Sequence, residues 1–211
     1  MSNIEIACHK ISKNFSGKIV FENLSFKISS GKSLSIVGRN GSGKSTLIKI
    51  IGNLIQPSKG GINIRENNSD IPKENWFLKT GLLSSYLNLY DELTGYENLD
   101  FFYKLKSSEL NDSSEKIDSL LNDVNLYEKR NEYLKNYSSG MYQRLKIAFA
   151  LINNPEILLM DEPRSNLDKA GVEIVKKFAL NQKKHGILII ATNDDEDKQL
   201  CDESINIEDF K

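Results

Sequence analysis

The segment that most constrains this chain is Gly38-Arg39-Asn40-Gly41-Ser42-Gly43-Lys44-Ser45-Thr46. It fits the pattern G-x-x-x-x-G-K-[ST] and stands between a short apolar run and a stretch with helical spacing. Glycines let the backbone curl around a phosphate, so that successive N–H groups and the positive end of the next helix face its oxygens. Lys44 would then reach the β- and γ-phosphates, and the Ser45 hydroxyl would bind a magnesium ion. The segment predicts a nucleotide-binding P-loop, with contacts from Gly38, Asn40, Gly41, Ser42, Gly43, Lys44, Ser45 and Thr46.

Strand-like and helix-like segments alternate along most of the chain, which favours an α/β fold with a largely parallel sheet. The apolar runs 34–37, 157–160 and 187–191 have the length of strands that are buried on both faces, so they are predicted to be the central strands. Residues from about Thr94 to Asn136 carry helix signals without a good strand, which predicts a helical insert. The first 30 residues instead predict short antiparallel strands with a turn at 16–18.

Three sets of apolar residues recur at helical spacing, and each predicts one buried stripe of a helix. They are Leu47, Ile50, Ile51 and Leu54; Ile117, Leu120, Leu121 and Val124; and Leu145, Ala148, Phe149 and Ile152.

The composition of the chain limits the kinds of partner that it is expected to bind. The formal net charge is -1 over 211 residues, so no overall field attracts nucleic acid or anionic lipid, and no direct nucleic-acid partner is expected. Apolar runs are far shorter than the ~20 residues of a membrane-spanning helix. We therefore expect a cytoplasmic protein with no membrane span of its own. The acidic run Asp194-Asp195-Glu196-Asp197 is interpreted as the solvated start of a helix.

A second motif follows the apolar run 157–160, which ends in Asp161-Glu162-Pro163. This places two carboxylates at the carboxyl edge of a parallel sheet, the edge where the P-loop also begins. Asp161 is predicted to hold magnesium through water, and Glu162 to accept a proton from the attacking water. Two solvated acids at a strand end are the alternative, but the presence of a P-loop favours catalysis.

A third segment connects the chain with a known family. Tyr137-Ser138-Ser139-Gly140-Met141-Tyr142-Gln143-Arg144 precedes the strand of Asp161 by some twenty residues and resembles the L-S-G-G-Q signature of the ABC ATPases. Ser165-Asn166-Leu167-Asp168 resembles the D-loop of that family, and Asn193 takes the place of its switch histidine. Phe15 occupies the place where the family stacks an aromatic ring on adenine, although a phenylalanine near a strand end also fits core packing.

The resemblance covers residues 4 to about 207 and implies a P-loop NTPase with a RecA-like parallel-sheet core. It implies one ABC ATPase domain over 1–211, with a core of 1–93 and 155–211 and a helical subdomain of about 94–154. It also implies an ATP- and Mg²⁺-dependent ATPase that serves separate ABC transmembrane subunits as a homodimer or beside a paired ABC ATPase. Ser138 and Gly140 of one protomer would close over ATP on the P-loop of the other.

Two departures from the family bear on turnover. Ser85 stands where the family has the glutamine that senses magnesium, and its shorter side chain is the predicted metal contact here. Asn193 can donate a hydrogen bond but cannot become charged. Lys44, Ser45, Asp161 and Glu162 are retained, which favours a working ATPase, even a slow one, over an inactive one.

Other functions stay open from sequence. A nucleotide-gated regulatory or assembly module with little turnover would explain the departures at Ser85, Met141 and Asn193. An ABC protein acting on ribosomes or DNA would usually carry two fused cassettes or a long coiled-coil insert. A kinase or GTPase would leave the signature-like segment unexplained. Residues 87–99 are most similar in style to haem-exporter or cytochrome c maturation ATPases.

Overall fold

The computed structural model describes residues 3–106 and 113–211, and their strands form two sheets. The strands are β1 Ile4–Phe15, β2 Lys18–Ser29, β3 Lys32–Val37, β4 Lys59–Glu66, β5 Ser69–Asp70, β6 Thr80–Leu83, β7 Ile157–Asp161, β8 Ile187–Ala191 and β9 Glu203–Asn206. The α-helices are α1 Lys44–Ile51, α2 Trp76–Lys79, α3 Gly95–Lys106, α4 Ser114–Asp123, α5 Ser139–Leu151, α6 Lys169–His185 and α7 Asp195–Gln199. Short 3-10 turns cover Lys73–Asn75, Tyr127–Lys129, Leu134–Asn136 and Ile207–Phe210.

One sheet is entirely parallel in the described residues and has the order β6-β7-β8-β3-β9. Every residue of β7 and β8 is buried, as expected for strands that are covered on both faces. The predicted central strands are therefore confirmed. Because parallel strands end at one edge, the segments that follow β3, β7 and β8 meet there.

The other sheet is antiparallel, with the order β2-β1-β4-β5. Strands β1 and β2 form the predicted hairpin, and Phe15 pairs with Lys18 across its turn. The third long strand, β4, was not predicted from sequence. It pairs with β1 over most of its length and completes a sheet whose inner face covers α1.

The described residues between β6 and β7 include the predicted helices, with α3, α4 and α5 packed in one apolar cluster. Of the predicted stripes, those of α4 and α5 bury most of their members, including Ile117, Leu121, Leu145 and Ala148. The prediction for Leu54 was wrong, because α1 ends at Ile51 and Leu54 is 55% exposed. The following Gly52-Asn53 pair stops the helix, with Asn53 at a φ of 56°.

The acidic run near the C-terminal end was only half interpreted correctly. Asp194 is the N-cap of α7, and its side chain accepts a hydrogen bond from the Glu196 backbone N–H. Asp197, however, is 1% exposed, because Arg164 and Thr192 supply partners inside the protein. A buried carboxylate requires such partners, and the sequence pattern does not reveal them.

A search of residues 3–106 and 113–211 finds no helix with both the length and the apolar character needed to cross a membrane.

Candidate nucleotide site

The P-loop connects the end of β3 to the start of α1, and two of its glycines are sterically required. Gly38 has a φ of 148° and Gly43 a φ of 114°, in a region that side chains with a Cβ rarely adopt. A Cβ at Gly38 would stand 2.7 Å from Ser42 Oγ, and one at Gly43 would stand 2.5 Å from Val20 Cγ1. The loop therefore takes this tight course only with glycine at both positions.

A cleft of about 740 Å³ opens over this loop. Phe15 lies in its wall and is 49% exposed, with the Lys13 Nζ 4.7 Å from the centre of its ring. Four residues of this wall were not predicted from sequence: Lys211, and residues 18–20, which lie at the start of β2, where the predicted turn ends. The cleft is lined by Phe15, Lys18, Ile19, Val20, Asn40, Gly41, Ser42, Gly43, Lys44, Ser45, Thr46, Glu162 and Lys211.

Lys44 contacts residues at the carboxyl ends of β3, β7 and β8. It is 5% exposed, and its Nζ donates to the Gly38 carbonyl at 2.9 Å and to Asn193 Oδ1 at 2.7 Å. Its other two partners are Glu162 Oε1, at 3.2 Å, and the Arg39 carbonyl, at 3.5 Å. One ammonium group thus touches residues that follow β3, β7 and β8. Lys44 is therefore in direct contact with two other predicted site residues, Glu162 and Asn193.

Asn193 links Lys44 to the side chain of the P-loop residue Asn40. While its Oδ1 accepts from Lys44, its Nδ2 donates to Asn40 Oδ1. The preceding residue, Thr192, is fully buried and its backbone N–H donates to the Ile36 carbonyl of β3. Asn193 is therefore held against the P-loop.

Asp161 ends β7 and is almost completely buried. Burial raises the pKa of its carboxyl above the ordinary value, and the Ser45 hydroxyl opposes this rise by a hydrogen bond. Within the described residues its Oδ1 has no hydrogen-bond partner. A buried carboxylate oxygen without a donor, next to a serine hydroxyl, has the oxygen-ligand chemistry that Mg²⁺ prefers.

Glu162 follows β7 in an unusual backbone conformation. Its φ is 49°, which is uncommon for a residue with a side chain and is often found at functional sites. Its backbone N–H donates to the Ala191 carbonyl at 2.9 Å. This bond turns the side chain into the cleft, where it reaches Lys44.

Ser85 is placed apart from these groups. Its side chain is exposed and lines a separate groove with Ser139 and Asn166, while its carbonyl accepts from the buried Lys146 at 3.3 Å. Burial of the next residue, Tyr86, raises the pKa of its phenol to about 12, and the negative charge of Asp161 contributes to this rise. A predicted contact of Ser85 with magnesium stays a prediction.

Ser138 and Gly140 also lie outside the cleft. Ser138 is the N-cap of α5, where its Oγ accepts from the Met141 backbone N–H at 3.2 Å. A Cβ built on Gly140 would meet only the Asn166 backbone oxygen, at 3.8 Å, so the fold of one protomer does not require glycine here. Neither residue reaches the P-loop of its own chain.

The fold and the residues around Lys44 define a P-loop nucleoside triphosphatase. Comparison with known proteins narrows this class: the sequence pattern of the ABC transporter family matches residues 21–165. The chain belongs to the ABC transporter family, as an ATP-binding and ATP-hydrolysing subunit.

Relatives agree with this assignment. The arginine transport ATP-binding protein ArtM of Bacillus subtilis is 34% identical over 194 residues, covering 90% of this chain and 81% of the relative. The lipoprotein-releasing system ATP-binding protein LolD of Treponema denticola is 32% identical and is covered over 96% of its length. The chain spans only 61% of the methionine import ATP-binding protein MetN of Histophilus somni.

Among solved structures, the dimeric ATP-binding cassette MJ0796 in a post-hydrolysis state with ADP and Pi superposes with a TM-score of 0.85. It is 25% identical, and the match covers 96% of this chain and 94% of that one. The structural neighbours of this chain thus include an ATP-binding cassette of the same fold in a dimeric assembly.

Proposed function

We propose that this chain binds Mg²⁺-ATP in the cleft above Lys44 and hydrolyses it between two protomers to drive separate membrane-spanning subunits. The observation that carries the proposal is the convergence of Lys44, Glu162 and Asn193 at the carboxyl edge of the parallel sheet. Such convergence at the ends of three buried strands is the geometry of phosphoryl-transfer sites.

In this proposal each residue of the cleft has one task. Phe15 stacks on the adenine, while the P-loop N–H groups and Lys44 bind the β- and γ-phosphates. Lys44 exchanges its contacts with Glu162 and Asn193 for phosphate oxygens, which frees both side chains. The Asn193 amide then donates to a γ-phosphate oxygen.

Magnesium fits the oxygen donors that are present. Ser45 and Asp161 would hold it, with Asp161 acting through water, and Ser85 is kept as a further predicted contact. When bound, the ion neutralises charge on the phosphates. Because Asp161 Oδ1 lacks a donor within the described residues, a cation at this place would satisfy it.

Hydrolysis is assigned to Glu162. The oxygen of a water molecule attacks the γ-phosphorus, the bond from that phosphorus to the β–γ bridging oxygen breaks, and Glu162 accepts a proton from the attacking water. The products are ADP and inorganic phosphate. This step requires the carboxylate to leave Lys44, which makes ATP binding a precondition for an available base.

Dimerisation follows from where Ser138 and Gly140 lie. Both are remote from the cleft of their own chain, at the exposed start of α5. We propose a head-to-tail dimer in which they close over ATP on the partner's P-loop, with the helices of residues 94–154 as a subdomain that carries them. The dimer would act at the cytoplasmic face, bound to its membrane subunits. A closer relation to haem-exporter ATPases stays a prediction.

The test replaces Glu162 with glutamine, which keeps the shape and removes the base. We expect Glu162→Gln to bind Mg²⁺-ATP with nearly unchanged affinity and to lose at least ~10²-fold in phosphate release, the usual scale for general base catalysis. Glu156→Gln is a matched control, because Glu156 precedes the same strand at its opposite end. Undiminished phosphate release by Glu162→Gln, with Glu156→Gln equal to it, would overturn the assignment of the base.

A further inference from the structure

Arg164 connects the segment after Glu162 to the segment that carries Asn193. Its side chain is mostly buried, and its Nε donates to Asp197 Oδ1 at 2.5 Å. Its Nη1 donates to Glu196 Oε2 at 2.6 Å. An arginine presents such donors in a rigid planar fork, so these two bonds fix the guanidinium in one orientation relative to α7.

The connection continues from Asp197 to the residue before Asn193. Asp197 Oδ2 accepts from the Thr192 hydroxyl at 3.1 Å, and both residues are buried. The same hydroxyl accepts from the Asp194 backbone N–H at 3.0 Å. Asn193 is therefore bracketed on both sides by groups that are tied, through Asp197, to Arg164.

Glu162 needs such a restraint. It lies two residues before Arg164, and its φ of 49° is a conformation that persists only where the surroundings impose it. Its side chain and that of Asn193 approach the same Lys44 Nζ, at 3.2 Å and 2.7 Å. The position of the Glu162 carboxylate relative to the Asn193 amide thus depends on how the segment after β7 is joined to the segment after β8.

We propose that Arg164 is a positioning residue for hydrolysis: through Asp197 and Thr192 it holds Glu162 and Asn193 in register around Lys44. The inference rests on the proposed function, because it assigns no chemistry to Arg164 itself. A displacement of about 1 Å in a catalytic group can lower the rate by about 10²-fold. The main effect of losing Arg164 should therefore be on kcat.

The experiment measures steady-state ATP hydrolysis and ATP affinity of Arg164→Met, Asp197→Asn and the double variant. We expect kcat to fall by about 10- to 100-fold in each single variant, while KM for ATP changes by less than about threefold. Because both residues act through one connection, the double variant should be no slower than the slower single variant. Arg164→Lys should recover part of the rate, since it keeps the charge and loses the fork.

Lys79→Met supplies the matched control. Lys79 also bridges two carboxylates, Glu66 and Glu156, at 3.0 Å and 2.9 Å, but it lies at the amino end of β7, away from the cleft. We expect its kcat to equal that of the unmodified protein. An equal loss of kcat in Lys79→Met would overturn the proposal, because the effect would then be general destabilisation.

Two further results would also overturn it: an unchanged kcat in Arg164→Met, or losses that multiply in the double variant. If Arg164→Met does not fold, Arg164→Lys and Asp197→Asn carry the same comparison of kcat with KM. Glu162→Gln, run in parallel, separates the two hypotheses. If it abolishes hydrolysis while Arg164→Met is normal, only the inference fails; if it hydrolyses normally, the proposed function fails.

Discussion

At the scale of single residues, the site is built from charges whose burial has a stability cost. Lys44 balances this cost by contacting four acceptors, whereas Asp161 keeps one carboxylate oxygen without a described donor. Residues that are suited to a ligand are often poorly suited to the folded protein alone. Substitutions at Asp161 should therefore separate stability from function.

Asp161→Asn should stabilise the protein in metal-free buffer at neutral pH while weakening magnesium-dependent ATP binding. Burial raises the folded-state pKa of Asp161 above its ordinary value, so the ionised carboxylate opposes folding above that pKa, and the cost disappears as the pH falls and the group is protonated. We expect a gain of roughly 0.5–2 kcal/mol in the free energy of unfolding at pH 7.5 that shrinks at about pH 4, the ordinary pKa range of an aspartate. Urea unfolding with a chelator at both pH values measures it. A gain that is equal at both pH values would show that ionisation is not its cause.

Asn193→His should raise turnover and make it pH-dependent. Hydrogen bonds from charged groups contribute roughly 1.5–3 kcal/mol against about 1 for neutral ones, so an imidazolium at this position is expected to speed hydrolysis by about 5- to 30-fold. The gain should decline as the pH rises through neutrality, because histidine loses its charge there. ATPase assays from about pH 5.5 to 8.5 on the parent, Asn193→His and Asn193→Ala measure it. If Asn193→Ala is as fast as the parent, Asn193 has no part in turnover.

At the scale of elements, the contact between α5 and β6 decides where the signature segment lies relative to the core. Gly81 of β6 faces the Ala150 carbonyl of α5 so closely that an added Cβ would overlap it. The buried Lys146 of α5 reinforces the contact by donating to the Ser84 carbonyl at 3.2 Å. The helix that Ser138 caps thus packs directly on β6, the strand next to β7.

Gly81→Ala should therefore destabilise the protein by about 1–3 kcal/mol, the usual cost of overpacking. Gly61→Ala is the control, because Gly61 also lies in a strand but has no atom within 4 Å of an added Cβ; its effect should stay within about 0.5 kcal/mol. Urea unfolding of both variants makes the comparison. Equal stability of the two variants would contradict the close approach of α5 to β6.

At the scale of the whole molecule, the proposed dimer brings the signature segment of one protomer to the P-loop of the other. Gly140 leaves room for a side chain within its own protomer, and an aspartate in the first turn of a helix is favourable. Gly140→Asp should therefore fold normally, yet place a negative charge where the partner's γ-phosphate is proposed to bind.

Mixing two inactive variants tests the shared site. Lys44→Ala disables the P-loop and Gly140→Asp disables the signature segment, so each homodimer should be inactive. A mixed dimer keeps one intact site out of two, and random pairing should restore about a quarter of the parent rate. Phosphate release after equimolar mixing measures this recovery, with each variant alone as control. No recovery, despite mixed dimers detected by differential tags, would contradict the head-to-tail arrangement.

Local patterns were sufficient to predict much of this protein. The P-loop, the strand that ends in Asp161-Glu162 and the three buried central strands each occupy a short, continuous segment, and the constraints of backbone sterics and burial act within that segment. For the same reason the helical region between β6 and β7 was predicted correctly. The strand β4 was missed because its pairing with β1 joins residues far apart in sequence.

Tertiary structure alone decided which side chains meet. The buried pair Arg164–Asp197 is separated by 33 residues, and an exposed acidic run and a buried acid look alike in sequence. In the same way, only the fold placed residues 18–20 in the wall of the cleft and Ser85 in a separate groove. The sequence by itself determined the phosphate-binding chemistry, because that chemistry lies in one loop. The packing of distant strand ends determined how Glu162 and Asn193 are held around it, because their contacts exist only after the sheet has formed.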